Sequence, residues 1–301
     1  EDEAETLVDG VTDETADPAQ EGEDLASDNA PVPDPGQTFT LTENVDNLSP
    51  NSPQDGNQTT AADDTIIAGV GTAGGVHTLG SSDFIDGGDG NDRINIRLED
   101  AGGTPPIGQT VTPDMQNVER VFTQSLDGSG AQGPGNTVSL VNASDYEQLW
   151  SSRSTENLSL TNVGTLATIG VLGGNGSNYT VQFTDAVLTN NDTIDVALNA
   201  ASESEPAYVG NLVLENSDTG NIGGGTGAAG FETVNFNTIE GDSKVGTLVS
   251  GDSSNAADDV TTINIEGAGG LEITDAVNGV TTLSSEAEGD VVVTINNDVA
   301  A

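Results

Sequence analysis

The chain has 301 residues, of which 50 are Asp or Glu and only five are Lys or Arg, giving a formal net charge of -45. Holding a phosphate backbone needs clustered Lys and Arg, so the charge argues against nucleic acid and in favour of cations as partners. Cysteine is absent, which removes disulfides, thiolate metal sites and cysteine nucleophiles together, and no run approaches the 18 apolar residues of a membrane-spanning helix.

Residues 1 to 36 carry 13 carboxylates and no Lys or Arg, and they end in PVPDPG. Few side chains here could be buried to offset the entropy of ordering, so an acidic disordered arm or linker is expected. That leaves 37 to 301 as a β-repeat domain. The opening EDEAETLVDG shows neither the basic n-region nor the apolar h-region of a secretory signal.

From Gln37 onward the texture becomes β-like, with short runs such as QTFTLT, DTIIAG, RINIRL, VERVFTQ, TVSLV, NLSLTNV, YTVQF, TIDVAL, NLVLE, ETVNFN, TTINIE and VVVTI. Val, Ile, Leu and Thr suit a pleated, half-buried surface, and the intervening Gly, Asn, Asp, Ser and Pro suit turns. An all-β fold is expected. The exception is ASDYEQLWSS around Trp150, which has some helical character and could make a single helical turn.

The stretch DFIDGGDGNDRINIRLED, 83 to 100, contains a glycine-rich nonapeptide, GGDGNDRIN (87 to 95), of the form GGxGxDxUx with U apolar. Glycines allow the backbone to curl until carbonyls point inward, an Asp adds a charged oxygen, and the apolar residue starts a strand. Hard oxygens at a flexible turn suit Ca²⁺ better than Mg²⁺. The candidate calcium donors are Asp86, Gly87, Gly88, Asp89, Gly90, Asn91 and Asp92, the glycines and Asn91 through their backbone. AADDTIIAGVG (61 to 71) aligns with it, Asp64, Thr65 and Ile66 matching Asp92, Arg93 and Ile94, so Asp63 and Asp64 are candidate donors from a second turn. An unmetallated Asx-rich turn is the alternative. An EF-hand fails by spacing, because position 12 counted from Asp86 is Arg97 where a bidentate Glu belongs.

Further along, GTGAAG (225 to 230) matches a dinucleotide fingerprint but precedes the strand-like FETVNFN and not a helix, so it reads as a loop. His77 is the only histidine, which rules out a two-His zinc site, and no GxSxG nucleophile elbow is present. Carboxylate pairs are too abundant for any one of them to mark a glycosidase dyad.

The C-terminal region shows a period. VTTINIEGAGGLEITDAVNG (260 to 279) lies on VTTLSSEAEGDVVVTINNDV (280 to 299) without a gap, matching Val260 to Val280, Thr262 to Thr282 and Glu266 to Glu286. Twenty residues, two strands and two turns, make one rung of a solenoid. A right-handed parallel β-solenoid with rungs of about 20 residues is therefore expected, with a β-sandwich as the alternative.

The order QTFTLTENVDN, AADDTIIAG, LGSSDFIDGGDGNDRINI, MQNVERVF, followed by the VTT repeats, resembles calcium-binding bacterial surface proteins of the RTX and S-layer type. The resemblance implies export by type I secretion, an extracellular or cell-surface location, Ca²⁺ as the bound ion and a structural role in a surface layer, filament or matrix. By position it carries Asp89 and Asp92 over as calcium donors, and Gly87, Gly88, Gly90 and Asn91 as backbone donors. A single nonapeptide, and no tandem array, is where the chain departs from the pattern. The expected partners are further copies of the chain and cell-surface polysaccharide, and the chain is expected not to be an enzyme. An adhesin, a carbohydrate-binding module or a β-helix polysaccharide lyase or epimerase are the competing readings.

Overall fold

A computed structural model describes residues 36–71, 77–99, 107–126, 135–184, 186–188, 192–202, 204–216, 230–251 and 260–296. The acidic arm, up to residue 35, lies outside them, as does GTGAAG apart from Gly230.

The described residues alternate strand and turn. The first part holds β1 (Thr38–Thr40), β2 (Asn47–Leu48), β3 (Thr65–Val70), β4 (Phe84–Asp86), β5 (Arg93–Glu99), β6 (Thr110–Val111), β7 (Asp114–Gln116) and β8 (Arg120–Leu126). The middle holds β9 (Asn136–Ser139), β10 (Gln148–Ser152), β11 (Leu158–Val163), β12 (Thr168–Leu172) and β13 (Tyr179–Phe183). The last part holds β14 (Thr193–Asn199), β15 (Ala207–Asn216), β16 (Thr233–Glu240), β17 (Ser243–Ser250), β18 (Thr262–Gly267), β19 (Leu271–Asn278), β20 (Thr282–Ser285) and β21 (Val291–Asn296).

These strands form three sheets. The first runs β1-β3-β5-β8-β10-β12-β14-β16-β18-β20, the second β6-β9-β11-β13-β15-β17-β19-β21, and the short third β2-β4-β7. All the pairings between these strands are parallel. From β8 onward the chain visits the two long sheets in turn and stacks each strand on its predecessor one rung earlier. This is a parallel β-solenoid; a sandwich would have required antiparallel ladders.

The rung length varies. Thr262 pairs with Thr282 and Gln148 with Thr168, the expected interval of 20 residues. Elsewhere the interval is 28, as from Asp64 to Asp92, or 40, as from Asp195 to Asn235. The strands have to stay in register because each buries the same face, whereas extra residues can leave the stack at the corners at little entropic cost.

The core is a set of stacked columns. Ile66, Ile94, Val121, Leu149 and Ile169 follow one another along the first sheet, all fully buried. Leu48, Ile85 and Met115 do the same along the third. The segment around Trp150 is the strand β10 and not a helical turn. Its register with Phe122 and Gly170 lays the indole flat over Gly170, where a Cβ would fall 2.1 Å from the ring, and this packing overrides the weak helical propensity of the sequence.

The last rung is less buried. Ile263, Ile265, Leu271 and Ile273 are at most 2% exposed, but Leu283 is 44% and Val292 58% exposed, and Val291, Val293 and Ile295 are only partly covered. Among the described residues, strands β20 and β21 each pair on one side.

Candidate functional site

Each early rung of the first sheet is entered through a polar corner residue: Gln37, Asp64, Asp92, Glu119 and Glu147 directly precede β1, β3, β5, β8 and β10. Where the chain bends into a strand, a buried backbone N–H needs an acceptor. The carboxylate one rung later supplies it. The Gln37 N–H donates to Asp64 Oδ1, the Asp64 N–H to Asp92 Oδ1 and the Asp92 N–H to Glu119 Oε2, each at 2.6 Å. The device recurs where the Asp46 N–H donates to Asp83 Oδ1 at 3.0 Å and the Asp192 N–H to Glu232 Oε2 at 2.7 Å.

The nonapeptide turn leads into this ladder. Gly88 and Gly90 adopt φ of 96° and 131°, which side chains disfavour, and a Cβ on either would lie 2.8 Å from the Thr60 or Ala62 carbonyl oxygen. The turn therefore lies directly on the turn of the rung before. Asn91 N–H donates to Asp63 Oδ1 at 2.9 Å, so the two sequence turns proposed as partners do meet. The register Thr65 to Arg93 and Ile66 to Ile94 matches the alignment of AADDTIIAG with the nonapeptide.

The candidate donors differ in what they contact. Asp86 Oδ1 accepts from the Gly88 N–H at 3.2 Å and Asn117 Nδ2 at 2.8 Å, and its Oδ2 from Gln116 Nε2 at 2.9 Å. Asp89 and Asp63 are exposed. Asp64 is buried and well satisfied, accepting also from the Thr60 N–H at 2.7 Å and Thr60 Oγ1 at 2.9 Å. Asp92 is buried too, yet its Oδ2 has no hydrogen-bond partner. That oxygen faces Gly87, where a Cβ would sit 2.4 Å from it and 1.9 Å from the Asn117 carbonyl oxygen. Both oxygens therefore lie close beside the Gly87 Cα.

Burial above all, with repulsion from Asp64, Glu119 and Asp63, pushes the Asp92 carboxyl up to about 7, against the Asp64 N–H bond, which lowers it. A buried carboxylate among like charges is neutralised by a proton or by a cation. Among the described residues no three His, Cys, Asp or Glu side chains converge as a metal site. The donors that fit an ion here are one carboxylate oxygen and one backbone carbonyl, hard oxygens of the kind Ca²⁺ accepts.

Sequence reasoning missed Glu119, Asn117 and Thr60. For Glu119 a signal existed: it stands immediately before Arg120 just as Asp92 stands before Arg93 and Asp64 before Thr65. His77 is exposed and outside the ladder.

Fold and corner chemistry define the class: a parallel β-solenoid whose rungs are tied by carboxylates at the corners. No family model, curated protein or solved structure matches the chain.

Proposed function

We propose that the protein is a secreted, non-enzymatic structural component of a bacterial surface layer, filament or matrix, whose folding is linked to Ca²⁺. The observation that supports this most is Asp92, a buried carboxylate with an unpartnered oxygen inside a ladder of like charges. Asp92 Oδ2 and the Asn117 carbonyl would hold the ion, which would bring positive charge to the unpartnered carboxylate oxygen. A chain of net charge -45 repels itself when it compacts, and binding a divalent cation to the folded state alone offsets this.

Circular dichroism at low salt with and without EGTA tests the link. Loss of β signal on chelation, restored by added Ca²⁺ and not by equal Mg²⁺, is expected. An unchanged spectrum and melting temperature would remove calcium from the account.

Assembly is the second part of the proposal. The half-covered Val291, Val293 and Ile295, on strands that pair on one side among the described residues, favour addition of further strand here. Electron microscopy in millimolar Ca²⁺ is expected to show filaments or sheets, and a monodisperse monomer would refute assembly.

A further inference from the structure

On the outer face of the first sheet, four successive rungs repeat the same residue types in register. Thr193, Thr233, Thr262 and Thr282 form one column, and Asp195, Asn235, Asn264 and Ser284 form the next. A third column holds Ala197, Asn237 and Glu266.

The middle column is hydrogen-bonded along the stack. Asn235 Nδ2 donates to Asp195 Oδ1 at 2.8 Å, Asn264 Nδ2 to Asn235 Oδ1 at 2.9 Å, and Ser284 Oγ to Asn264 Oδ1 at 2.6 Å. Each of these bonds fixes the orientation of an amide that has two donors and two acceptor lone pairs, so one donor and one lone pair of Asn235 and Asn264 remain to face outward. A groove of about 560 Å³ lies along this face, lined by the ladder together with Asn237, Glu266 and Glu286.

We propose that this groove binds a neutral polyhydroxylated chain, an extended glycan lying across the rungs. Strands stand about 4.8 Å apart and alternate side chains about 6.7 Å apart along each strand, so the face offers donors and acceptors on a fixed lattice. Sugar hydroxyls, which both donate and accept, suit amides and carboxylates held in this way.

Other ligand classes fit less well. No Lys or Arg lines the groove, so phosphate and uronate chains lack a counter-charge. The backbone beneath is paired on both sides at β14, β16 and β18, so a peptide cannot add as a strand there. None of the large exposed apolar side chains lines it, which leaves no anchor for a protein partner. The inference does not depend on calcium and goes beyond the structural role.

Isothermal titration of the full chain with cellohexaose, laminarihexaose and N-acetylchitohexaose tests it, with an oligogalacturonate and polylysine as controls. At least one neutral oligosaccharide is expected to bind, more tightly as its length increases. The double variant Asn237→Ala, Glu266→Ala alters two exposed side chains outside the ladder, so its β spectrum should be retained while affinity falls about tenfold. The proposal fails if no neutral oligosaccharide binds, if the variant binds as well as the parent, if the oligogalacturonate binds more tightly, or if only polylysine binds.

Discussion

The N-terminal corner and the C-terminal outer face are both ladders that tie one rung to the next, built from different chemistry. At the corner, Asp64, Asp92 and Glu119 accept backbone N–H groups and two of them are fully buried. On the outer face, Asn235, Asn264 and Ser284 bond side chain to side chain and stay partly or fully exposed. Water can screen and solvate the second ladder but not the first, so the cost of charge falls on the corner. That cost is greatest at Asp92, the buried corner carboxylate with an unpartnered oxygen.

The cationic side chains follow the same division. Arg93 lies 3.8 Å over the Phe122 ring, which stacks on Trp150 at 5.2 Å, all on the outer face of the early rungs. After Lys244 the chain has no Lys or Arg at all. On the first sheet the late rungs thus present an amide and carboxylate face where the early ones present guanidinium over aromatic rings, while Lys244 lies over Tyr208 on the second sheet.

The sharpest way to break the corner is Gly87→Ala. A Cβ there would fall 1.9 Å from the Asn117 carbonyl oxygen and 2.4 Å from Asp92 Oδ2, and both neighbours are held by the stack. A loss of about 3 kcal/mol or more is expected in urea unfolding, first in the early rungs. A loss under about 1 kcal/mol would show that the corner relaxes freely.

An intermediate effect is expected from pH. The Asp92 carboxyl moves from 3.8 when unfolded to about 7 when folded. Below 3.8 both states hold the proton and its stabilising contribution is complete. Between the two values the unfolded chain has lost the proton that the folded chain keeps, so stability falls as pH rises. Above about 7 the contribution is gone, having been worth at most about 4 kcal/mol. Urea midpoints at pH 5 and pH 8 in EGTA measure this, and Asp92→Asn, which keeps an acceptor for the Asp64 N–H, should reduce the difference. An equal pH dependence in parent and variant would assign the effect to the general charge repulsion of the chain instead.

The smallest effect is expected on the outer face. Asn264→Ala removes one rung of an accessible ladder and should cost about 1 kcal/mol, with no dependence on pH between 5 and 8. Thermal melts at the two pH values check it; a pH-dependent loss would mean that the two ladders are electrostatically linked.

Much of the repeat was legible in the sequence, because strands that stack in register keep their apolar positions in phase. The match of Val260, Thr261 and Thr262 to Val280, Thr281 and Thr282 is the β18 to β20 register, and Asp64 to Asp92 is the β3 to β5 register. The alignment breaks further on, where β19 and β21 shift between Ile273 and Val277. Such an irregularity leaves no mark in residue type. Trp150 misled because local propensity favours a helical turn, while its neighbours Phe122 and Gly170, 28 and 20 residues away, decide for a strand.

The sequence alone determined that this chain is β-rich and acidic, since alternation of apolar side chains and a scarcity of cations are local facts; the parallel ladders of the structure decided for a stacked solenoid over a sandwich. Only the tertiary structure decided what each aspartate does. Asp64 has both oxygens satisfied by Thr60 and Gln37, and Asp92 keeps an oxygen unpartnered beside Gly87. Each accepts an N–H from the rung before, some 27 residues away, while the second oxygen is decided within the turn: the Thr60 N–H, four residues earlier, bonds Asp64, whereas the Gly88 N–H in the same place before Asp92 donates to Asp86.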